Sequence, residues 1–122
     1  LFLGSLSCFF SVLFGAFGAH ALAQKLEPRF LEIFKTATQY QSMHSLALIG
    51  FGLFLKYAHP QLETIGCSDV LPGLLFALGI LLFSGSLYAL ALTQITKLGM
   101  ITPLGGLCFL VAWLLWSIRI WR

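Results

Sequence analysis

The chain has 122 residues, of which 59% are hydrophobic and only 9% charged, and its net charge is +3. Soluble domains carry about 25% charged residues, and a domain this small cannot hide so much apolar surface from water. Most soluble-enzyme classes are therefore excluded, and the scattered basic residues look like membrane anchors rather than a nucleic-acid footprint.

Four stretches lack Asp, Glu, Lys and Arg: Leu1–Gln24, Thr36–Leu55, Val70–Thr96 and Leu98–Ile118, of 24, 20, 27 and 21 residues. A helix needs roughly 20 mostly apolar residues to cross the ~30 Å hydrocarbon core of a bilayer. The pattern predicts an all-α integral membrane four-helix bundle, up-down-up-down, as one domain over residues 1–122.

The first span covers about residues 2–23. It opens inside the apolar run, which predicts a short segment ahead of Leu1. Ala21-Leu22-Ala23 resembles a signal-peptide cleavage site, but the apolar run exceeds a signal core of about 7–15 residues, so it reads as a mature helix. Gly4, Cys8, Ser11, Gly15 and Gly18 fall on one face, and Ser11, Gly15 and Ala19 repeat the small-xxx-small spacing. Small residues let two membrane helices approach closely. The neighbour is another helix of the bundle or a second subunit.

Pro28 suits the first turn of a new helix. Phe30, Ile33, Phe34 and Ala37 recur at helical spacing, with Arg29, Glu32, Lys35 and Gln39 opposite, which is an amphipathic pattern. A straight helix from Pro28 to Ala58 would have 31 residues, about 46 Å at 1.5 Å per residue. Residues 28–36 are therefore expected as a short amphipathic interfacial helix, and residues 37–58 as the second span. Tyr57 to Asp69, with His59-Pro60, Glu63 and Gly66, reads as a polar loop. The third span covers about residues 71–93 with Pro72 in its first turn, where proline is tolerated. Gln94 to Gly99 is a tight turn, and the fourth span covers about residues 100–118. Its end mixes Trp113, Trp116 and Trp121 with Arg119 and Arg122, the pattern of an interfacial belt.

One membrane face receives Lys25, Arg29, Lys35 and Lys97; the other receives Lys56, Arg119 and Arg122. The near-balance leaves orientation to the expected N-terminal extension, which places both termini in the cytoplasm.

Polar residues inside spans are costly and mark candidate sites. Here they are His20, Tyr40, Gln41, His44, Ser84, Tyr88 and Thr102, and the up-down order puts them in one half of the bilayer. An inner network of His44 with Tyr88, Ser84 and Thr102 is expected, serving either to fix helix register or to hold a ligand. Haem or metal ligation is not expected, because no acidic residue accompanies either intramembrane histidine as an orienting partner. Nucleophile motifs are absent, and all four acidic residues fall outside the apolar runs.

Gly15-Ala16-Phe17-Gly18-Ala19-His20-Ala21-Leu22, Thr36-Ala37-Thr38-Gln39-Tyr40-Gln41 with His44, Phe83-Ser84-Gly85-Ser86-Leu87-Tyr88-Ala89-Leu90-Ala91-Leu92, and Ile101-Thr102-Pro103-Leu104-Gly105-Gly106 follow one another along the chain. Together they resemble the signature segments of the domain of unknown function 423 family, that of bacterial YgdD-like proteins and vertebrate transmembrane protein 256. The resemblance implies a small four-helix inner-membrane protein, of the bacterial plasma membrane or, if eukaryotic, of the mitochondrial inner membrane. It carries over no catalytic or binding residue.

The expected role is non-enzymatic and without a cofactor: an accessory or assembly subunit acting through helix packing, its partners being membrane lipids and other membrane-protein subunits. The alternative is a binder of a lipid, quinone or other small molecule in a polar pocket within one leaflet.

Overall fold

Apolar runs punctuated by proline and glycine give rods of helix, and the computed structural model, which describes residues 1–58 and 66–121, has helices and short turns only in that range. α1 is Phe2–Phe17, carried on by a π-helical turn, Gly18–Leu22. α2 is Pro28–Ala58. α3, Cys67–Gly79, passes through a second π-helical turn, Ile80–Ser84, into α4, Gly85–Thr93. Gln94 then adopts φ 59°, the left-handed conformation that stops a helix. A 3₁₀ turn, Thr96–Met100, reverses the chain into α5, Thr102–Trp121. These elements make four rods, each antiparallel to the next. Residues 59–65, which hold most of the polar loop expected from the sequence, lie outside the described residues.

Three rods are long and apolar enough to cross a membrane: Phe2–Leu22, Ser68–Thr93 and Thr96–Trp121. α2 is not among them, although the sequence pattern placed a span there. Its middle holds Thr38, Gln39, Tyr40, Gln41, Ser42, His44 and Ser45, which lower its apolarity. The bundle compensates by burying Gln41, His44 and Ser45 beneath the other rods.

α2 is also continuous from Pro28 onward, so residues 28–36 are its first turns and not a separate surface helix. No glycine or proline interrupts it there, and its apolar stripe docks on the bundle. Phe34 packs with Leu22 and Ala91, bordered by Phe14, Leu26, Leu31, Ile33 and Tyr88.

α1 lies along α2 through its small residues. A Cβ on Gly4 would sit 2.7 Å from Ile49 Cγ1, and one on Gly18 would sit 2.9 Å from the Phe34 ring. Gly4, Ser11 and Gly18 are buried in this seam and Gly15 sits 3.3 Å from Thr38 by the same measure. Ala19 is exposed, one position off the seam. The seam's neighbour is therefore α2 of the same chain.

α5 lies against the third rod at an even closer crossing. A Cβ on Gly105 would be 2.4 Å from the Phe83 nitrogen, and one on Gly79 would be 2.5 Å from the Phe109 ring. At the far end of this pair, Pro72 falls one turn later than the sequence suggested, because α3 starts at Cys67. Proline has no N–H to give the carbonyl four residues back, here that of Ser68. Arg119 fills the gap from α5: its Nη2 donates to the Ser68 carbonyl, and its Nη1 donates at 3.2 Å to both the Asp69 carbonyl and Oδ1. Trp116 likewise turns inward, against Phe51, Phe54 and Phe76, while Trp121 stays exposed. The expected belt thus supplies core and bracing as well as a rim.

Candidate functional site

α2 divides its polar residues between two faces. Thr38, Gln41, Ser42 and Ser45, at spacings of three, one and three, form one stripe of a helix. They meet Ser7 and Ser11 of α1. Gln41 Nε2 donates to the Ser7 carbonyl at 3.1 Å and to Ser7 Oγ at 3.3 Å. Ser45 Oγ donates to Ser7 Oγ at 2.6 Å, and Ser42 Oγ donates to Ser11 Oγ at 2.9 Å. From α4, Tyr88 donates its hydroxyl to Gln41 Oε1 at 2.7 Å and reaches Thr38 Oγ1 at 3.2 Å. Its ring is held by Phe14 and Phe34, with centroids 5.1 and 4.8 Å away. Every side-chain polar group of this stripe has a partner. Ser7 lies five positions before Val12, the middle of Phe2–Leu22. Thr38, at the other end of the stripe, faces Gly15, beyond that middle, so the stripe runs along both halves of the first span.

Tyr40 and His44 occupy the next face of α2, toward α5 and the third rod. His44 is 2% exposed, and its Nδ1 lies 2.8 Å from the Tyr40 carbonyl. A carbonyl only accepts, so Nδ1 is the donor. The imidazole lies flat on Phe109, centroids 3.4 Å apart and planes 7° apart; Tyr40 stacks on Phe83 at 4.4 Å. These rings wall a groove of about 540 Å³ that also touches Met43, Pro103, Gly106, Leu107, Leu110 and Trp113. Met43, Leu107 and Leu110 are exposed, so the groove opens sideways on an apolar flank of the bundle. Tyr40 Oη and His44 Nε2 have no hydrogen-bond partner among the described residues.

The remaining sequence candidates separate from these two groups. Thr102 pairs with Ser86 at 2.8 Å, joining α4 to α5. Ser84 ends the second π-helical turn with its hydroxyl buried and unpartnered. His20 is exposed on the first π-helical turn. His44 therefore shares its face with Tyr40, and Tyr88 belongs to the stripe on the other side. Among the described residues no group of three His, Cys, Asp or Glu side chains could hold a metal ion.

Sequence reasoning missed Ser7, Thr38, Ser42 and Ser45. The signal was available: four polar residues at helical spacing on α2, facing two serines four apart on α1.

A family model described as "Protein of unknown function (DUF423)" matches residues 14–106. A UPF0382 membrane protein of Staphylococcus saprophyticus is 44% identical over 115 residues, covering 94% of this chain and 90% of its own. The UPF0382 membrane protein YwdK of Bacillus subtilis is 42% identical over 116 residues, covering 94% and 89%. A UPF0382 membrane protein of Haemophilus influenzae is 38% identical over 118 residues, covering 93% and 86%. No solved structure gives a significant match.

Proposed function

The chain belongs to the DUF423 family and is a membrane protein, and from that premise we propose that it is a non-catalytic binder of a flat, lipid-soluble ring compound, of the quinone, quinol or phenol class. The observation that carries this reading is the groove beside His44: stacked aromatic walls, an opening on an apolar flank, and two hydrogen-bonding atoms left without protein partners. Its volume of about 540 Å³ falls within the ~300–1,000 Å³ range of small-molecule sites, which are mostly apolar with a few placed polar groups. α2 completes the set of four bilayer crossings, its polar residues sheltered by the other rods. The bacterial relatives support residence in a bacterial plasma membrane; the orientation with both termini in the cytoplasm is a proposal from the sequence alone, whose basic residues are nearly balanced between the two faces.

The test is a titration of the protein in nanodiscs with a benzoquinone bearing a ten-carbon tail, read by quenching of Trp113 fluorescence in a Trp116→Phe, Trp121→Phe background. Saturable quenching is expected, weakened by His44→Ala, which deletes the ring that stacks on Phe109 and walls the groove. Gly106→Leu is the second variant, because a Cβ there has room, meeting only the Phe83 ring at 3.8 Å; its side chain would fill the groove and abolish quenching. Quenching that never saturates, or that survives both substitutions, overturns the proposal.

An accessory role in a larger complex is the second reading, supported by how few of the described residues lie outside the helices. The glycine seam no longer motivates it, since α2 of the same chain fills that seam. Migration in native gels of detergent-solubilised membranes separates the readings: a stable co-migrating partner supports the accessory role, and a free monomer removes it.

A further inference from the structure

We infer that the groove prefers a ring bearing a hydroxyl group over the same ring bearing only acceptor oxygens, so that a quinol or phenol binds in preference to a quinone or an ether. This rests on the groove reading above and adds the identity of the head group.

A hydrogen bond to the helix backbone constrains the imidazole. His44 Nδ1 lies 2.8 Å from the Tyr40 carbonyl of its own helix. The carbonyl has lone pairs and no hydrogen, so the imidazole hydrogen sits on Nδ1. An un-ionised imidazole has a single N–H, and its other nitrogen is then a bare acceptor. Among the described residues no acidic side chain lines the groove to hold the ring as a cation. The tautomer is thus set by the helix backbone, and the ring is pinned flat by Phe109, 3.4 Å away. What His44 offers a visitor is a lone pair on Nε2.

The rest of the lining sharpens that choice. Tyr40 and Trp113 are the other groove residues with side-chain polar atoms, and each carries a hydrogen to give. A ligand carbonyl can use those donors, so a quinone is admitted. A para-substituted quinone, however, turns its second carbonyl toward Nε2, lone pair against lone pair. A quinol donates there and accepts from Tyr40 or Trp113 at its other end. In an apolar site an unmet or opposed polar atom carries its full desolvation cost, so the difference appears in affinity.

The test uses a redox-inert pair, 4-nonylphenol and 4-nonylanisole, which share ring and tail and differ in the donor hydrogen. Each competes with the benzoquinone probe in nanodiscs. The phenol is expected to displace it at a concentration at least tenfold lower than the anisole. His44→Phe keeps the stack on Phe109 and removes the acceptor; it should erase the phenol's advantage and leave the anisole unchanged, whereas Tyr40→Phe should preserve the advantage. Nitrogen-15 NMR of the wild-type protein gives a readout that needs no variant: Nε2 should be the bare nitrogen in the free protein, and its signal should move with the phenol and not with the anisole. Equal displacement by both compounds, an advantage that persists in His44→Phe, or a bare Nδ1 overturns the inference while leaving the groove occupied. Saturable binding by none of the three compounds removes the groove reading itself.

Discussion

The two polar faces of α2 lie side by side on one helix and end in opposite states. Toward α1, the side chains of Thr38, Gln41, Ser42 and Ser45 all find partners, on α1, on α4 or on α2's own backbone. Toward α5, Tyr40 and His44 stack against rings and leave an oxygen and a nitrogen unused. A satisfied stripe between membrane helices is adhesive and sets register, each interhelical bond contributing about 0.6 kcal/mol on average. Groups left open in an apolar wall do nothing for the fold, which is why the groove and not the stripe carries the functional reading. Two glycines carry the contrast further: Gly15 in the α1 seam faces a side-chain methyl at 3.3 Å, whereas Gly105 at the α5 crossing faces backbone at 2.4 Å.

The sharpest break of this comparison is Gly105→Ala. Its added methyl would meet backbone at 2.4 Å, the nitrogen of Phe83, and backbone inside a helix cannot rotate aside. α5 would have to lift off the third rod, and overpacking of this kind is expected to cost about 3 kcal/mol. Gly15→Ala is the matched change on the other side: the nearest atom is the Thr38 methyl at 3.3 Å, a single group that can shift. The expected outcome, read by thermal unfolding in detergent, is a large loss of stability for Gly105→Ala and a small one for Gly15→Ala. The reverse order would mean that the rigid contact of the bundle lies at α1.

Gln41→Leu is next in size. It removes an amide bonded to Tyr88, to the Ser7 carbonyl and to Ser7 Oγ, leaving Tyr88 only the longer contact to Thr38. The expected loss is about 1–2 kcal/mol, with unchanged affinity for the groove probe. A Gln41→Leu protein that kept its stability and lost probe binding would merge the two faces into one site.

The rods were legible in the sequence because charge-free runs of bilayer length have few other uses. The small-residue seam was legible too, since spacings of three and four place residues on one helix face. What periodicity could not supply was direction around α2. Tyr40 and Gln41 are adjacent in sequence, about 100° apart on a helix, and that rotation sends one to the groove and the other to α1. Grouping His44 with Tyr88, Ser84 and Thr102 failed for the same reason: Tyr88 points at Gln41 and Thr102 at Ser86. The π-helical turn at Ile80–Ser84 shifts the phase of everything after it on the third rod, and no residue pattern announced it. Pro72 looked like a helix start because its true setting depends on Arg119, 47 residues later.

Ser84→Ala is the smallest effect and probes the same rule from below. Its hydroxyl is buried at the end of the π-helical turn and makes no hydrogen bond within the described structure. A buried hydroxyl without a partner is a burden, and its removal is expected to leave stability unchanged or raise it by up to about 1 kcal/mol. Ser45→Ala is the natural reference, because that side chain is equally enclosed and holds Ser7 at 2.6 Å; it is expected to cost about 0.6 kcal/mol. Both changes delete one oxygen from a serine in the bundle interior, so their difference isolates the value of a partner. Thermal unfolding of the two variants side by side gives that difference directly. If Ser84→Ala proved the more damaging, its hydroxyl would be engaged in the folded protein in membranes, and the third rod would hold a second polar contact alongside the stripe.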